Sequence, residues 1–248
     1  MDNIRLLAAG EQGLVIEFAS RIDPAVNARV HRLAKRIAAS GINGVIEVVP
    51  TYRSLLVYFD PLTVSRTTLG ERIGALAGEE ENTAAGASAR VVEIPVGYGG
   101  DLGPDLEFVA SHTGLSQDEV VAIHTSVPYL VYMLGFTPGF PYLGGMSERI
   151  AAPRLEKPRT AIPGGSVGIA GSQTGIYPVT SPGGWQIIGR TPVRLFDPQA
   201  ASPFLFAAGD YLQFRAVTAA EYAAIEREVA GGSYLPVIRP QAKGGDGQ

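Results

Sequence analysis

The chain has 248 residues, a formal net charge of −4, 46% hydrophobic residues and no cysteine. That length supports one large domain or two small ones with ample core. The absence of thiols excludes disulfides and thiol catalysis, and the acidic balance argues against nucleic acid, which needs a basic face.

In chain order, Ile4 to Ala8 and Leu14 to Ala19 are strand-like, with Gly10 to Gly13 turning between them. Asp23 reads as an N-cap with Pro24 at the first helical position. Val26, Val30, Leu33 and Ile37 recur at helical spacing, and Gly41 supplies the stop. His31 on this helix reads as a solvated edge residue. Val45 to Val49 and Ser54 to Phe59 predict two more strands, and Leu69, Ile73 and Leu76 a second helix ending near Gly78. The order β, α, β, β, α predicts a small α+β domain of ferredoxin-like kind over residues 1–85, a fold that hosts many functions. Glu79 to Ala89 is acidic, then small and polar, with no periodicity, and reads as a linker.

A strand from Val91 to Val96 opens the second unit, residues 90–240, which reads as mainly β. Two helices follow. Pro104 opens the first, which stops near Gly114, and Ser116 with Glu119 forms a capping-box pattern for the second. His112 and His124 fall near their C-terminal ends, where the helix dipole favours histidine. His124 precedes the glycine-rich stretch and titrates near neutrality, so it joins the catalytic candidates. Pro203 to Phe214 reads as a strand pair around Gly209-Asp210, Glu221 to Val229 as a helix, and 241–248 as a disordered tail.

The stretch from Tyr129 to Pro192 carries the strongest signals. Pro138-Gly139, Pro163-Gly164 and Pro182-Gly183 each have type II turn chemistry. Short apolar runs lie between them at Tyr129 to Leu134, Ser166 to Ala170 and Trp185 to Ile188, so the stretch reads as tight loops on a β scaffold, a usual home for a site. Arg159 and Arg190 offer planar forks for carboxylate or phosphate. Gln173 offers an amide suited to a lactam and joins Arg159 and His124 as a catalytic candidate, with Arg190 taken as a substrate contact. Phe140, Tyr142, Ser166 and Tyr177 are candidate substrate contacts, whereas Trp185 reads as core. Ser166 superficially matches a nucleophile elbow (Gly164, Ser166, Gly168), but strand-type residues follow it where that motif needs a helix. There is no Walker-type phosphate loop, dinucleotide fingerprint or metal-ligand spacing.

The strings GFTPGFPYLGGM, PRTAIPGGSVGIAGSQTGIYP and SPGGWQIIGRTP resemble the B-subunit family of 5-oxoprolinase, also called the Kip inhibitor or allophanate hydrolase subunit 1 domain family. Gly164 stands where alanine is expected and Met146 where leucine is expected. The resemblance covers most of the chain and implies a cyclophilin-like β domain. It implies one component of a hydrolase that works with the A and C subunits as a hetero-oligomer, converting 5-oxo-L-proline, ATP and water to L-glutamate, ADP and phosphate. A lactam is a stable amide, so its oxygen needs activation before water attacks. ATP is then a co-substrate handled at an interface of the complex or by a partner. The resemblance also carries two alternatives: inhibition of a sensor histidine kinase, and a carboxyltransferase component related to urea carboxylase. The N-terminus lacks a basic flank followed by a long apolar run, and the uncharged segment from His124 to Ser147 is too rich in glycine and proline to span a membrane. The expected location is the cytoplasm.

Overall fold

A computed structural model describes residues 4–78 and 89–241, and the chain divides into two compact units, Met1–Gly86 and Ala87–Gln248. Most of the linker reading, and the tail beyond residue 241, lie outside the described residues. The first unit comprises β1 (Arg5–Ala9), β2 (Gly13–Glu17), α1 (Pro24–Ser40), β3 (Val45–Pro50), β4 (Ser54–Phe59) and α2 (Arg66–Gly78). Its sheet is antiparallel in the order β1-β2-β4-β3. Leu14 and Ile16 of β2 and Leu55, Val57 and Phe59 of β4 alternate onto one face. Against it lie Val26, Val30, Leu33 and Ile37 of α1, with Leu69 and Ile73 of α2. Each such side chain contributes about 1.5–3 kcal/mol when fully buried. The Asp23 side chain accepts from the amides of Ala25 and Val26, and Gly41 closes α1 at φ 59, a left-handed conformation that L side chains resist. Buried Asn27 donates to the Thr51 and Tyr52 carbonyls, tying α1 to the β3–β4 turn.

The second unit comprises β5 (Arg90–Tyr98), a 3-10 turn Gly100–Leu102, α3 (Leu106–Thr113), α4 (Gln117–Thr125), β6 (Tyr129–Leu134), β7 (Pro141–Gly144), a 3-10 turn Glu148–Ile150, β8 (Arg159–Ile162), β9 (Ser166–Ala170), β10 (Gln173–Ile176), β11 (Ser181–Gly183), β12 (Gln186–Arg190), β13 (Tyr211–Ala216), α5 (Ala219–Ala230) and β14 (Ile238–Pro240). Its main sheet runs β10-β9-β12-β5-β13-β6-β7, with β14 pairing onto β5. The two ends, β10 and β7, come together, so the sheet is a nearly closed barrel. Such closure removes exposed strand edges. The chain is therefore mixed α/β.

β5 is the spine of this unit. It pairs in parallel with β13 from Val91↔Tyr211 to Val96↔Ala216, and antiparallel with β12 at Gly97 and Tyr98. Two ion pairs span the parallel seam: Arg90 to Asp210, and Arg215 Nε to Glu93 at 2.7 Å. Val92, Ile94 and Val96 face a core shared with Tyr129, Ile169, Ile188, Leu212 and Phe214. The capping box of Ser116 and Glu119 opens α4, and Thr218 with Glu221 forms a second one at α5.

Three local expectations need correction. Of the Pro-Gly pairs, Pro138-Gly139 has the positive φ a type II turn requires, with Gly139 at 81°. In the second, the left-handed residue is Gly165, one position later, and in the third Pro182-Gly183 is part of β11. The strand pair around Gly209-Asp210 is half present, because only β13 forms. On its other side Phe204 makes an isolated bridge to Phe196.

Candidate functional site

Beside the two-stranded sheet of β8 and β11 lies a cavity of about 280 Å³. Its lining includes Arg159, Ser166 and Arg190 from the predicted set. Register explains the meeting. Ser166 pairs with Arg190 across β9 and β12, so the two sit at one end of that ladder. Gly165, at φ 84, brings its backbone against Thr191, where a Cβ would stand 2.2 Å from the carbonyl oxygen. Buried Ile162, Ser166 and Ile187 form the floor, and Asp101, Pro104, Ala161 and Pro163 stand at the rim.

The two arginines are held differently. Arg159 donates through Nη2 to Asp105 Oδ1 at 2.8 Å and through Nη1 to the Trp185 carbonyl at 3.3 Å. Asp105 also accepts from the Ile187 amide at 2.6 Å through its other oxygen, and its own amide donates to the Ile187 carbonyl at 2.9 Å. Arg159 is thus clamped to the protein. Arg190 uses Nε alone, donating to the Gly164 carbonyl at 3.1 Å, and its two terminal nitrogens have no hydrogen-bond partner among the described residues.

Phe140, Tyr142 and Tyr177 meet in an aromatic cluster with Trp185. Phe140 lies 5.3 Å from Tyr142, 5.7 Å from Tyr177 and 5.8 Å from Trp185 between ring centroids, all in edge-on geometry. Paired Gly168 and Gly175 make its seat. A Cβ on Gly175 would stand 3.2 Å from both Phe140 and Trp185, and one on Gly168 3.2 Å from Trp185. The cluster packs on Ile162 and Ile187, so it backs the cavity floor rather than lining it. Burial pushes the Tyr177 phenol up, opposed by Arg154, by a bond from the Trp185 amide and by Arg159.

Two catalytic candidates lie elsewhere. His124 is completely buried in the barrel core. Its Nδ1 lies 2.7 Å from the Tyr98 hydroxyl and its Nε2 2.8 Å from Thr174 Oγ1, while its ring packs 4.3 Å from Phe214. Thr174 Oγ1 donates onward to the Gly168 carbonyl, so it accepts from Nε2–H, and Nδ1 accepts from Tyr98. Burial depresses the His124 pKa to about 3, which keeps the ring neutral. It is a satisfied core histidine, with both nitrogens spent inside the barrel. Gln173 pairs with Ala170 at the far end of the β9–β10 hairpin. That is four residues from Ser166, about 13 Å along the strand. Ser166 lies in a strand that turns into a second strand, so the nucleophile-elbow reading stays excluded.

Sequence reasoning missed Asp105. An acidic residue after Pro104 at a helix start reads as a cap, yet its side chain makes no capping bond and turns instead to Arg159 and β12. The sequence predicts a turn at Pro138-Gly139 but gives no sign of strain just before it: Phe136 adopts φ 61 while 64% exposed.

Arg190 presents its terminal nitrogens beside an apolar floor, with Asp101 the only carboxylate among the lining residues. The family model described as carboxyltransferase domain, subdomain C and D, matches residues 4–206. A Bacillus subtilis (strain 168) protein named as the B subunit of 5-oxoprolinase is 46% identical over 233 residues, covering 88% of this chain and 95% of that protein. The crystal structure of TTHA0988 superposes with a TM-score of 0.73 at 38% identity over 84% of this chain, which spans 40% of that longer chain. The urea carboxylase of Kluyveromyces lactis superposes with a TM-score of 0.79 at 21% identity over 96% of this chain and 24% of its own, a likeness of fold. By sequence match over most of its length, the chain belongs to the 5-oxoprolinase B-subunit family of carboxyltransferase subdomain C and D proteins.

Proposed function

We propose that this chain is the B subunit of an ATP-dependent 5-oxoprolinase, cleaving 5-oxo-L-proline to L-glutamate only when joined by the A and C subunits. The observation that carries this reading is the cavity of about 280 Å³ with an open guanidinium on an apolar floor, in a chain 46% identical to a protein named as the B subunit of 5-oxoprolinase. That volume is at the low end for ligand sites, roughly 300–1,000 Å³, and favours a small ring acid over a nucleotide. The residues around it do not form a phosphate cradle, so we assign ATP to a partner or to an interface of the complex. Arg159 and Arg190 hold the positive charges of the site, Ser166 is the neutral polar group of its floor, and Phe140, Tyr142 and Tyr177 keep that floor rigid.

We infer further that residues 1–85 are a ferredoxin-like domain, which the insertion of β4 between β2 and β3 supports. Residues 90–240 are read as a cyclophilin-like barrel. Among the described residues no helix is long and apolar enough to cross a membrane, which fits the cytoplasmic reading.

The test is ADP release dependent on 5-oxo-L-proline, with the chain alone and mixed with both partners. Turnover is expected in the mixture alone. Robust turnover by the isolated chain overturns the division of labour. A mixture without turnover, combined with inhibition of a sensor histidine kinase, favours the regulatory reading. Carboxyl transfer without lactam hydrolysis favours a component of the urea carboxylase kind.

A further inference from the structure

The geometry assigns the substrate carboxylate to Arg190, with Arg159 a positioning residue, and this rests on the function proposed above. Both arginines border one cavity, and the sequence reading takes Arg159 as a catalytic candidate and Arg190 as a substrate contact. The structure favours Arg190 for the carboxylate on three grounds.

The first is hydrogen-bond capacity. Arg159 engages one N–H on each terminal nitrogen, at Asp105 and the Trp185 carbonyl, so its fork is already turned toward the protein. Arg190 spends only Nε, on the Gly164 carbonyl. A guanidinium fixed at Nε presents its two terminal nitrogens as a preoriented fork, the geometry that binds a carboxylate bidentately.

The second is charge. Asp105 neutralises Arg159 at 2.8 Å. Arg190 has no ion-pair partner within salt-bridge distance among the described residues, and it supplies the uncompensated positive charge of the cavity wall, against which Asp101 stands on the exposed rim. An acid entering from the rim meets its counter-charge at the wall.

The third is the surroundings. Ile162 and Ile187 are buried lining residues of the same cavity and give a small ring an apolar surface, while Ser166 is the neutral polar side chain among the lining residues. Ile187 is fixed by Asp105 through both its amide and its carbonyl. The Asp105–Arg159 clamp therefore shapes the floor, which is the sense in which Arg159 positions.

The experiment uses the reconstituted three-component complex with 5-oxo-L-proline as substrate and its carboxamide, which lacks the negative charge, as competitive inhibitor. Arg190→Gln is expected to lower kcat/KM for the acid roughly ten- to a hundredfold. Its inhibition by the carboxamide should stay within about twofold of wild type, since that ligand never used the charge. Arg190→Lys should fall between them, keeping charge without the fork. Arg159→Gln should weaken acid and carboxamide together, as a distorted floor would. An Arg190→Gln complex that loses both ligands equally, or neither, overturns the assignment. So does inorganic phosphate that competes with the acid in wild type and no longer does so in Arg190→Gln while the acid still turns over, because the fork would then serve phosphate. Wild-type complex that does not turn over at all sinks the function proposed above instead. Equilibrium binding of acid and carboxamide to the complex then decides the role of Arg190 by the same ratio.

Discussion

Replacing Asp105 by alanine tests whether the clamp behind the cavity holds the second unit together. Its carboxylate accepts from Arg159 at 2.8 Å and from the Ile187 amide at 2.6 Å, and its side chain is 13% exposed. Losing the acceptor leaves the buried Ile187 N–H unpaired, which costs about 1–3 kcal/mol. Losing the charge-assisted bond to Arg159 costs about 1.5–3 kcal/mol when buried. Arg159 is 34% exposed and water takes over part of that bond, so the lower end applies. The total is about 3 kcal/mol, or roughly 6–12 °C for a unit of this size. Trp185 is the single tryptophan of the chain and lies in this unit, so its fluorescence in a urea titration reports the right transition. Asp105→Asn keeps an acceptor for Ile187 and should lose about half as much. Combined with Arg159→Gln in a double-mutant cycle, the pair should couple by about 1 kcal/mol. A change below about 0.5 kcal/mol for Asp105→Ala, or strict additivity in the cycle, would refute the clamp.

Acid should destabilise the second unit through His124. Burial lowers its folded pKa to about 3 from 6.5, so between those values the unfolded chain binds a proton that the folded one refuses. Stability is complete above about pH 6.5 and falls as pH drops, by about 2 kcal/mol from pH 7 to pH 5. His124→Gln should flatten that slope, and a persisting slope would transfer the effect to other groups. Phe136→Gly should be at least as stable in thermal melting as wild type, because Phe136 holds φ 61 in the open. Phe136→Val should lose about 1 kcal/mol more than the glycine variant, and the reverse order would remove the strain argument. Gln173→Ala and Lys157→Ala should both leave turnover of the complex within about twofold, since neither lines the cavity. A large loss in Gln173→Ala would return that residue to the site.

Local chemistry was legible where it is self-contained. Asp23-Pro24 and Gly41 bound α1 as read, and Ser116 with Glu119 caps α4, because each device closes within a few residues. The cavity was legible as a neighbourhood, since Arg159, Ser166 and Arg190 all come from the Pro-Gly stretch. What the sequence does not show depends on register. Gln173 is close to Ser166 in sequence, yet the hairpin carries it to the opposite end of β9. The place of His124 before the glycine-rich stretch and the near-neutral titration of histidine point to a site, and neither shows that the ring faces Phe214 inside the barrel. Asp105 was invisible because its partners, Arg159 and Ile187, lie 54 and 82 residues away.

The parallel seam between β5 and β13 has a consequence for synthesis. The ion pairs that span it join residues 120 and 122 positions apart, and β12 on the other side also emerges late. At about 5–20 residues per second, β5 leaves the ribosome roughly 6–24 s before its parallel partner. During that interval Val91, Val92, Ile94 and Val96 form an apolar strand without a permanent neighbour, an aggregation hazard that Pro95 within the run reduces. The charges at Arg90 and Glu93, paired later with Asp210 and Arg215, sit within or beside that run as gatekeepers. Truncation anywhere before Ala216 therefore leaves the barrel without its central ladder. Nascent chains halted short of that residue should be held by chaperones, whereas those long enough to free it should fold.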